Sequence, residues 1–213
     1  MVQIIAIDGP AGSGKSSVSK EVARRLEFGY LDTGAAYRAL AWAVAEQKLE
    51  LPTEGFDGFD YQISLNPNDF WVRCYGVNVT EEIRTPRIAE SVSKVAQISA
   101  VRSFMKNLTL QLVEESSLSG VVVEGRDITT VVAPNAKVRI LLTAEESVRL
   151  DRRAKELTPD QLSTLKAGLQ ARDNNDSRVV DFMNPAPGVT LVDSTNLNFE
   201  QTVNAVLSII REQ

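Results

Sequence analysis

Ile4-Ile5-Ala6-Ile7-Asp8-Gly9-Pro10-Ala11-Gly12-Ser13-Gly14-Lys15-Ser16 is the stretch that decides the fold. Its first part is a short run of β-branched and small apolar residues ending at a glycine turn, the pattern of a strand buried on both faces. Its second part satisfies G-x-x-x-x-G-K-[ST]. Val18, Val22 and Leu26 then recur every four residues, with Lys20, Glu21, Arg24 and Arg25 on the polar faces, which predicts an amphipathic helix over 15–26. Strand, glycine loop and helix in this order are the context in which such a loop binds phosphate. The glycines let the backbone curl so that successive amide N–H groups converge on phosphate oxygens, and the first helical turn adds its positive dipole end. Gly9, Pro10, Ala11, Gly12, Ser13, Gly14, Lys15, Ser16 and the adjoining Ser17 are therefore expected to hold ATP. Lys15 is assigned to the β and γ phosphates as a catalytic cation, and the Ser16 hydroxyl to Mg2+.

Working outward, Tyr30-Leu31 is a weak second strand, and Ala35 to Gln47 reads as a second helix. From Glu50 to Asn78 the composition shifts to Gly, Pro, Asp and Asn around short β-type runs at Tyr61 to Leu65 and Phe70 to Tyr75. Phe70 to Val79 looks like a hairpin, so this segment is expected to be a small antiparallel insertion. Ile88 to Glu115 lacks Pro and Gly and predicts one long helix or two joined end to end. Val121 to Val123, Val138 to Leu142 and Val189 to Val192 are further buried strands. Helical patterns at Ser147 to Leu157, Asp160 to Asp173 and Phe199 to Arg211 alternate with them. This alternation predicts an α/β fold with a parallel sheet covered on both faces.

Composition removes whole classes of chemistry. The chain has 213 residues, 43% of them hydrophobic and 24% charged, which fits a soluble globular protein and excludes disordered, collagenous and disulfide-scaffold readings. It contains no histidine, so Ser-His-Asp triads, Cys-His nucleophiles and His general bases are ruled out together. Cys74 is the sole cysteine and is read as a small core residue in a reducing compartment. With 23 Lys plus Arg against 28 Asp plus Glu, the net charge of −5 argues against a broad nucleic-acid face. No run of about 20 apolar residues is present to span a membrane, and the N-terminus reads as a first strand, so cytoplasmic residence is expected.

Two further motifs carry chemistry. Asp32-Thr33-Gly34-Ala35-Ala36-Tyr37-Arg38 is a turn opening a helix, with a hydroxyl near its start and an arginine one turn in, able to hold an anion. Glu124-Gly125-Arg126-Asp127 follows a buried strand and places acid, arginine and acid at the carboxyl end of the sheet, where open α/β sheets bind ligands. A guanine-reading N-K-x-D segment is missing, and large motor cores need more residues. A compact phosphotransferase acting on a small acceptor remains, as does a nucleotide-binding module without turnover. On the residues alone, the acceptor is a nucleoside monophosphate or a small hydroxyl compound.

These motifs, with Arg172-Asp173-Asn174-Asn175-Asp176-Ser177 further on, together resemble the bacterial cytidylate kinases, over Ile4 to about Asp193. The phosphate loop is shared with many proteins; the other three motifs in this order are much more specific. The resemblance implies a three-layer P-loop NTPase fold with a five-stranded parallel sheet. It also implies a core over 1–58 and 93–213, a small antiparallel NMP-binding insertion over 59–92 and a lid near 149–168. The reaction implied is transfer from ATP to CMP or dCMP, with Mg2+, by a monomer that needs neither nucleic acid nor membrane.

By the same resemblance, Thr33, Arg38 and Arg126 hold the CMP phosphate. Ser93, Arg102 and Asp127 read the cytosine, and Arg172 and Asp176 lie near the ribose. Chemistry supports the base assignment independently: cytosine presents an amino donor beside a ring-nitrogen acceptor, which a carboxylate and an arginine complement, whereas uracil reverses both groups. Arg149, Arg152 and Arg153 lie on the helix where related kinases carry a lid and are catalytic candidates beside Arg126, at least one of them expected to reach the transferring phosphates. The chain departs from the family pattern at two places. Thr129 stands where Gly is usual after Arg126-Asp127-Ile128. Arg178 follows Ser177 directly, with Val179 in the usual arginine position and Met183-Asn184-Pro185-Ala186-Pro187 beyond it.

Overall fold

The computed structural model describes residues 2–50, 56, 58–154, 173 and 181–213. The chain begins with β1 (Gln3–Asp8), α1 (Lys15–Leu26), β2 (Gly29–Asp32) and α2 (Thr33–Ala45), and continues through three short strands, β3 (Tyr61–Ile63), β4 (Val72–Cys74) and β5 (Val77–Asn78). After a single 3-10 turn (Glu82–Arg84) come α3 (Pro86–Ala96), α4 (Ser99–Glu115), β6 (Gly120–Gly125) and a π-helical turn (Ile128–Val132). β7 (Val138–Thr143), α5 (Glu146–Ala154), β8 (Thr190–Asp193) and α6 (Phe199–Arg211) complete the described elements.

β2, β6, β1, β7 and β8 lie side by side in that order, all parallel. Period-2 alternation explains why the sheet is covered on both faces. Ile5 and Ile7 of β1 and Val122 of β6 pack with Val18 and Val22 of α1 and Val203 and Val206 of α6. Ala6, Val121 and Val123 point the other way, onto α2, α3 and α4 through Ala39, Leu40, Ile88 and Val101. The Ile5–Ile7 and Val121–Val123 runs are apolar because neither face meets water, whereas β8, expected to be buried, is an edge strand with only Val192 buried and Leu191 exposed.

Among the described residues, the predicted elements are present with small boundary shifts. α2 starts at Thr33 rather than Ala35, because the Asp32 carboxylate caps it by accepting from Ala35 N at 3.1 Å. It ends two residues early where Gln47 turns to φ 54°. The long pattern over 88–115 is two helices, broken at the extended Ile98 (φ −78°, ψ 118°), and the first begins earlier, at Pro86. β4 and β5 pair Cys74 with Val77 around Tyr75-Gly76, both at positive φ, the two-residue loop that matches hairpin twist. β3, β4 and β5 form a separate antiparallel sheet whose inward residues Ile63, Val72 and Cys74 join the core on the α2 side. Cys74 is fully buried, with burial pushing its thiol up to about 12, which fits a packed, inert side chain.

Register brings the motifs together. Asp8 pairs with Gly125, and Asp32 with Glu124, so the carboxyl ends of β1, β2 and β6 finish level with one another. The phosphate loop, the Asp32 turn and the Glu124–Asp127 segment thus leave the sheet at one edge.

Candidate active site

The loop after β1 has the shape its glycines require. Gly12 sits at φ 77°, and a Cβ there would stand 2.7 Å from the Arg149 carbonyl oxygen. Gly14, at φ 86°, is the N-cap of α1 and puts no side chain over the first-turn N–H groups. Lys15 Nζ bends back over the loop to Pro10 O at 3.5 Å, while its charge acts on the buried carboxylates Asp32 and Glu124. The donor set suits a hydrated, phosphate-bound Mg2+: one hydroxyl, Ser16, opens the helix beside the Glu124 carboxylate.

Three arginines bear on this loop. Arg149 donates to Ala11 O at 2.9 Å and to Asp173 Oδ2 at 2.6 Å. Arg152 donates to Ser13 O at 3.1 Å and to Ser194 Oγ and O at 2.9 and 2.8 Å. Arg126 reaches across from β6 to Gly9 O at 3.0 Å and Asp173 Oδ1 at 3.2 Å, and its guanidinium lies 4.3 Å over the ring of the buried Phe182. Asp173 also accepts from Ala11 N at 3.1 Å, so one carboxylate ties two of these arginines to the loop backbone. Arg153 lies on the exposed side of α5. Arg172, Asp176, Arg178 and the span 155–168 expected to continue the lid lie outside the described residues, as does the helix expected over Asp160 to Asp173 apart from Asp173 itself.

At the start of α2, the largely buried Arg38 lies 2.6 Å from the buried Asp32, and Arg84 adds a second cation at 3.6 Å. Burial would raise the Asp32 carboxyl, but these guanidinium charges outweigh it and hold it below the ordinary value. Thr33 Oγ1 donates to Glu124 O at 2.8 Å, linking the two motifs. Glu124 is itself buried and accepts from the Tyr30 hydroxyl at 3.0 Å; burial, then the neighbouring Asp32 charge, push its carboxyl up.

Beyond these charges opens a cleft of about 280 Å³, lined by Thr33, Tyr37, Arg102, Lys106 and Asp127 among others. Arg102 Nη2 donates to Asp127 Oδ2 at 2.6 Å, so α4 and the segment after β6 present a cation and a carboxylate side by side. Burial raises the Asp127 carboxyl, and Arg102 opposes the rise. Ser93 is half-buried on α3 and is not among the residues lining this cleft. Sequence reasoning therefore assembled the Arg102–Asp127 pair from residues 25 positions apart but did not foresee the tyrosine wall at Tyr37, although it stands directly before Arg38.

It also missed three supporting side chains, two carboxylates and an arginine. Asp173 stands within the Arg172–Ser177 motif without an assigned role, and Arg84 lies in no motif. Asp8 accepts from Ile128 N at 2.9 Å, Thr129 N at 2.8 Å and Thr129 Oγ1 at 2.6 Å. The only sequence signal for it is an acid closing an otherwise apolar strand: a buried charge there needs donors.

Comparison with known proteins gives the family. The family model described as cytidylate kinase matches residues 5–212. A cytidylate kinase of Cutibacterium acnes is 42% identical over 97% of this chain and 95% of its own length. One from Desulfitobacterium hafniense is 39% identical over 98% and 93%. An uncharacterized protein from Eubacterium ventriosum, 10% identical, superposes over 99% of both chains with a TM-score of 0.53, a likeness of fold alone. With the family model spanning nearly the whole sequence and relatives this similar along their full length, the chain belongs to the cytidylate kinase family.

Proposed function

We propose that this chain transfers the γ-phosphoryl group of ATP to CMP and dCMP, giving CDP and dCDP. The observation that carries the reading is the Arg102–Asp127 pair, 2.6 Å apart, in the cleft that opens beside the phosphate loop. A carboxylate accepts from the cytosine amino group while the guanidinium donates to the ring nitrogen, and uracil would leave both groups facing like partners. Tyr37 supplies an aromatic wall to the same cleft.

The acceptor phosphate has a second pKa near roughly 6, by analogy with phosphorylated side chains, so it is already a nucleophile at neutral pH and needs no general base. What the protein must supply is positioning and positive charge. Lys15 and residues 9–17, through the backbone N–H groups that all but Pro10 carry, hold the donor phosphates, and Thr33, Arg38 and Arg126 receive the acceptor phosphate. The Arg38–Asp32 contact is the resting partner that such an arginine exchanges for phosphate. Arg149 and Arg152 lie against loop carbonyls, one or two residues from phosphate-binding amides, which supports a catalytic role for them and for their neighbour Arg153. Ser16 would hold Mg2+, which when bound offsets charge on the transferring group. Ser93 near the base, and Arg172 and Asp176 near the ribose, complete the proposed site.

In this reading, residues 59–92, with their small sheet, are the NMP-binding insertion. Residues 1–58 and 93–213 are the core, with a lid near 149–168. Both nucleotide sites lie on one chain, which supports action as a monomer, and the nucleotide substrates suit the cytoplasm. The test is ADP release from Mg-ATP with CMP, dCMP, UMP, AMP, GMP or shikimate as acceptor. Turnover confined to CMP and dCMP is expected; equal turnover with another acceptor would overturn the assignment.

A further inference from the structure

The residues just after Asp127 are gripped from two sides. The Asp127 carbonyl accepts from Val131 N at 2.8 Å and Val132 N at 3.1 Å, which winds the π-helical turn Ile128–Val132. From the sheet, the Asp8 carboxylate takes Ile128 N, Thr129 N and the Thr129 hydroxyl, the last being the shortest of the three at 2.6 Å. Asp8 is held in β1 between β6 and β7, paired with Gly125 and Leu141, and is 2% exposed. Burial pushes its carboxyl up, and the Thr129 side-chain hydrogen bond is the largest opposing influence. A glycine at position 129 would offer Asp8 the two backbone donors only.

We infer that Asp8 and Thr129 are positioning residues for the base-reading carboxylate of Asp127, and that the Thr129 hydroxyl sharpens this chain's preference for cytosine over uracil. The inference rests on Asp127 being the base reader. Cytosine and uracil differ by exchange of a donor and an acceptor at neighbouring positions, so discrimination depends on where the carboxylate stands. A turn tied to the central strand by three hydrogen bonds fixes that position more tightly than one tied by two. Asp8 immediately precedes Gly9, so the same residue joins the base-reading turn to the phosphate loop.

Thr129→Val removes the hydroxyl and keeps the side-chain shape; Thr129→Ser keeps the hydroxyl. Steady-state kinetics with CMP and UMP at saturating Mg-ATP, beside thermal midpoints, read the effect. Thr129→Val is expected to lower the CMP-over-UMP ratio of kcat/KM by about fivefold to tenfold, chiefly through KM for CMP, while Thr129→Ser stays within about twofold of wild type. A Thr129→Val ratio unchanged from wild type, whatever its thermal midpoint, would leave the hydroxyl with a structural role only and overturn the inference. Asp127→Asn measured alongside separates the two levels. If it collapses the ratio while Thr129→Val does not, the inference falls and the base reader stands; if neither changes it, both fall.

Discussion

Replacing Asp127 by asparagine tests base recognition with the least change of shape. The carboxylate sits 2.6 Å from Arg102, with the two side chains only 15% and 23% exposed, so its hydrogen bonds are made largely out of water. A hydrogen bond to a charged group contributes about 1.5–3 kcal/mol, which converts to roughly 10-fold to 100-fold in kcat/KM. Partial exposure favours the lower half of that range. Asparagine can turn its amide N–H toward a carbonyl, so the loss should fall on CMP and be partly returned for UMP. The assay is kcat/KM for both acceptors by coupled ADP release between pH 5 and 8. Both substrates carry the same phosphate, so its own titration cancels in their ratio. Burial raises the Asp127 carboxyl above the ordinary value, and protonation removes the acceptor that cytosine needs. The wild-type ratio should therefore decline at the acid end, and the Asp127→Asn ratio should be low and flat. An unchanged CMP preference in Asp127→Asn, with the acid decline retained, would refute the reasoning.

Lys15→Ala should cut kcat by about 100-fold or more, as removal of a charge-stabilising donor does, while CMP binding by calorimetry stays near wild type. Undiminished turnover would remove the phosphate loop from the mechanism. Arg38→Ala should raise KM for CMP and destabilise the fold, because it removes the cation in direct contact with the buried Asp32 and leaves the more distant Arg84 and Lys15; losing one partner of a buried pair costs about 3–5 kcal/mol. Asp32 titrates below its ordinary value when folded, so the stability it gains is present at neutral pH and lost as pH falls through that lowered value. The gap in thermal midpoint between wild type and Arg38→Ala should accordingly narrow below about pH 4. Gly12→Ala should abolish ATP binding, since its Cβ would meet the Arg149 carbonyl oxygen at 2.7 Å as well as a positive φ. Gly76→Ala, also at positive φ but with open space around it, should lower stability by only about 1 kcal/mol.

Periodicity was enough for the parallel sheet and its helices because β1 and β6 are apolar on both faces, β7 on one, and α1 and α6 are amphipathic. It could not place the break at Ile98, where the chain simply turns extended between two good helical patterns without Gly or Pro. Strand order was equally invisible to spacing: β6 (from Gly120) inserts between β2 (to Asp32) and β1 (to Asp8), far from both in sequence. The phosphate loop was legible because its glycines, lysine and serine are contiguous, and Asp127 with Arg102 through resemblance supported by base chemistry. Asp8, Asp173 and Arg84 were not, because each acts through a partner distant in sequence. Asp8 meets Thr129 only after the chain has left β1 and returned along β6. Thr129 illustrates the point. In sequence it reads as a departure from glycine, and only the fold shows its hydroxyl on a buried carboxylate.

A crystal structure with CMP bound tests the central claim most directly. The account predicts the cytosine in the cleft between Tyr37 and Arg102, its amino nitrogen about 2.7–3.2 Å from an Asp127 carboxylate oxygen and its phosphate at Arg38 and Arg126. Cytosine bound elsewhere, or facing Asp127 through its carbonyl edge, would contradict it.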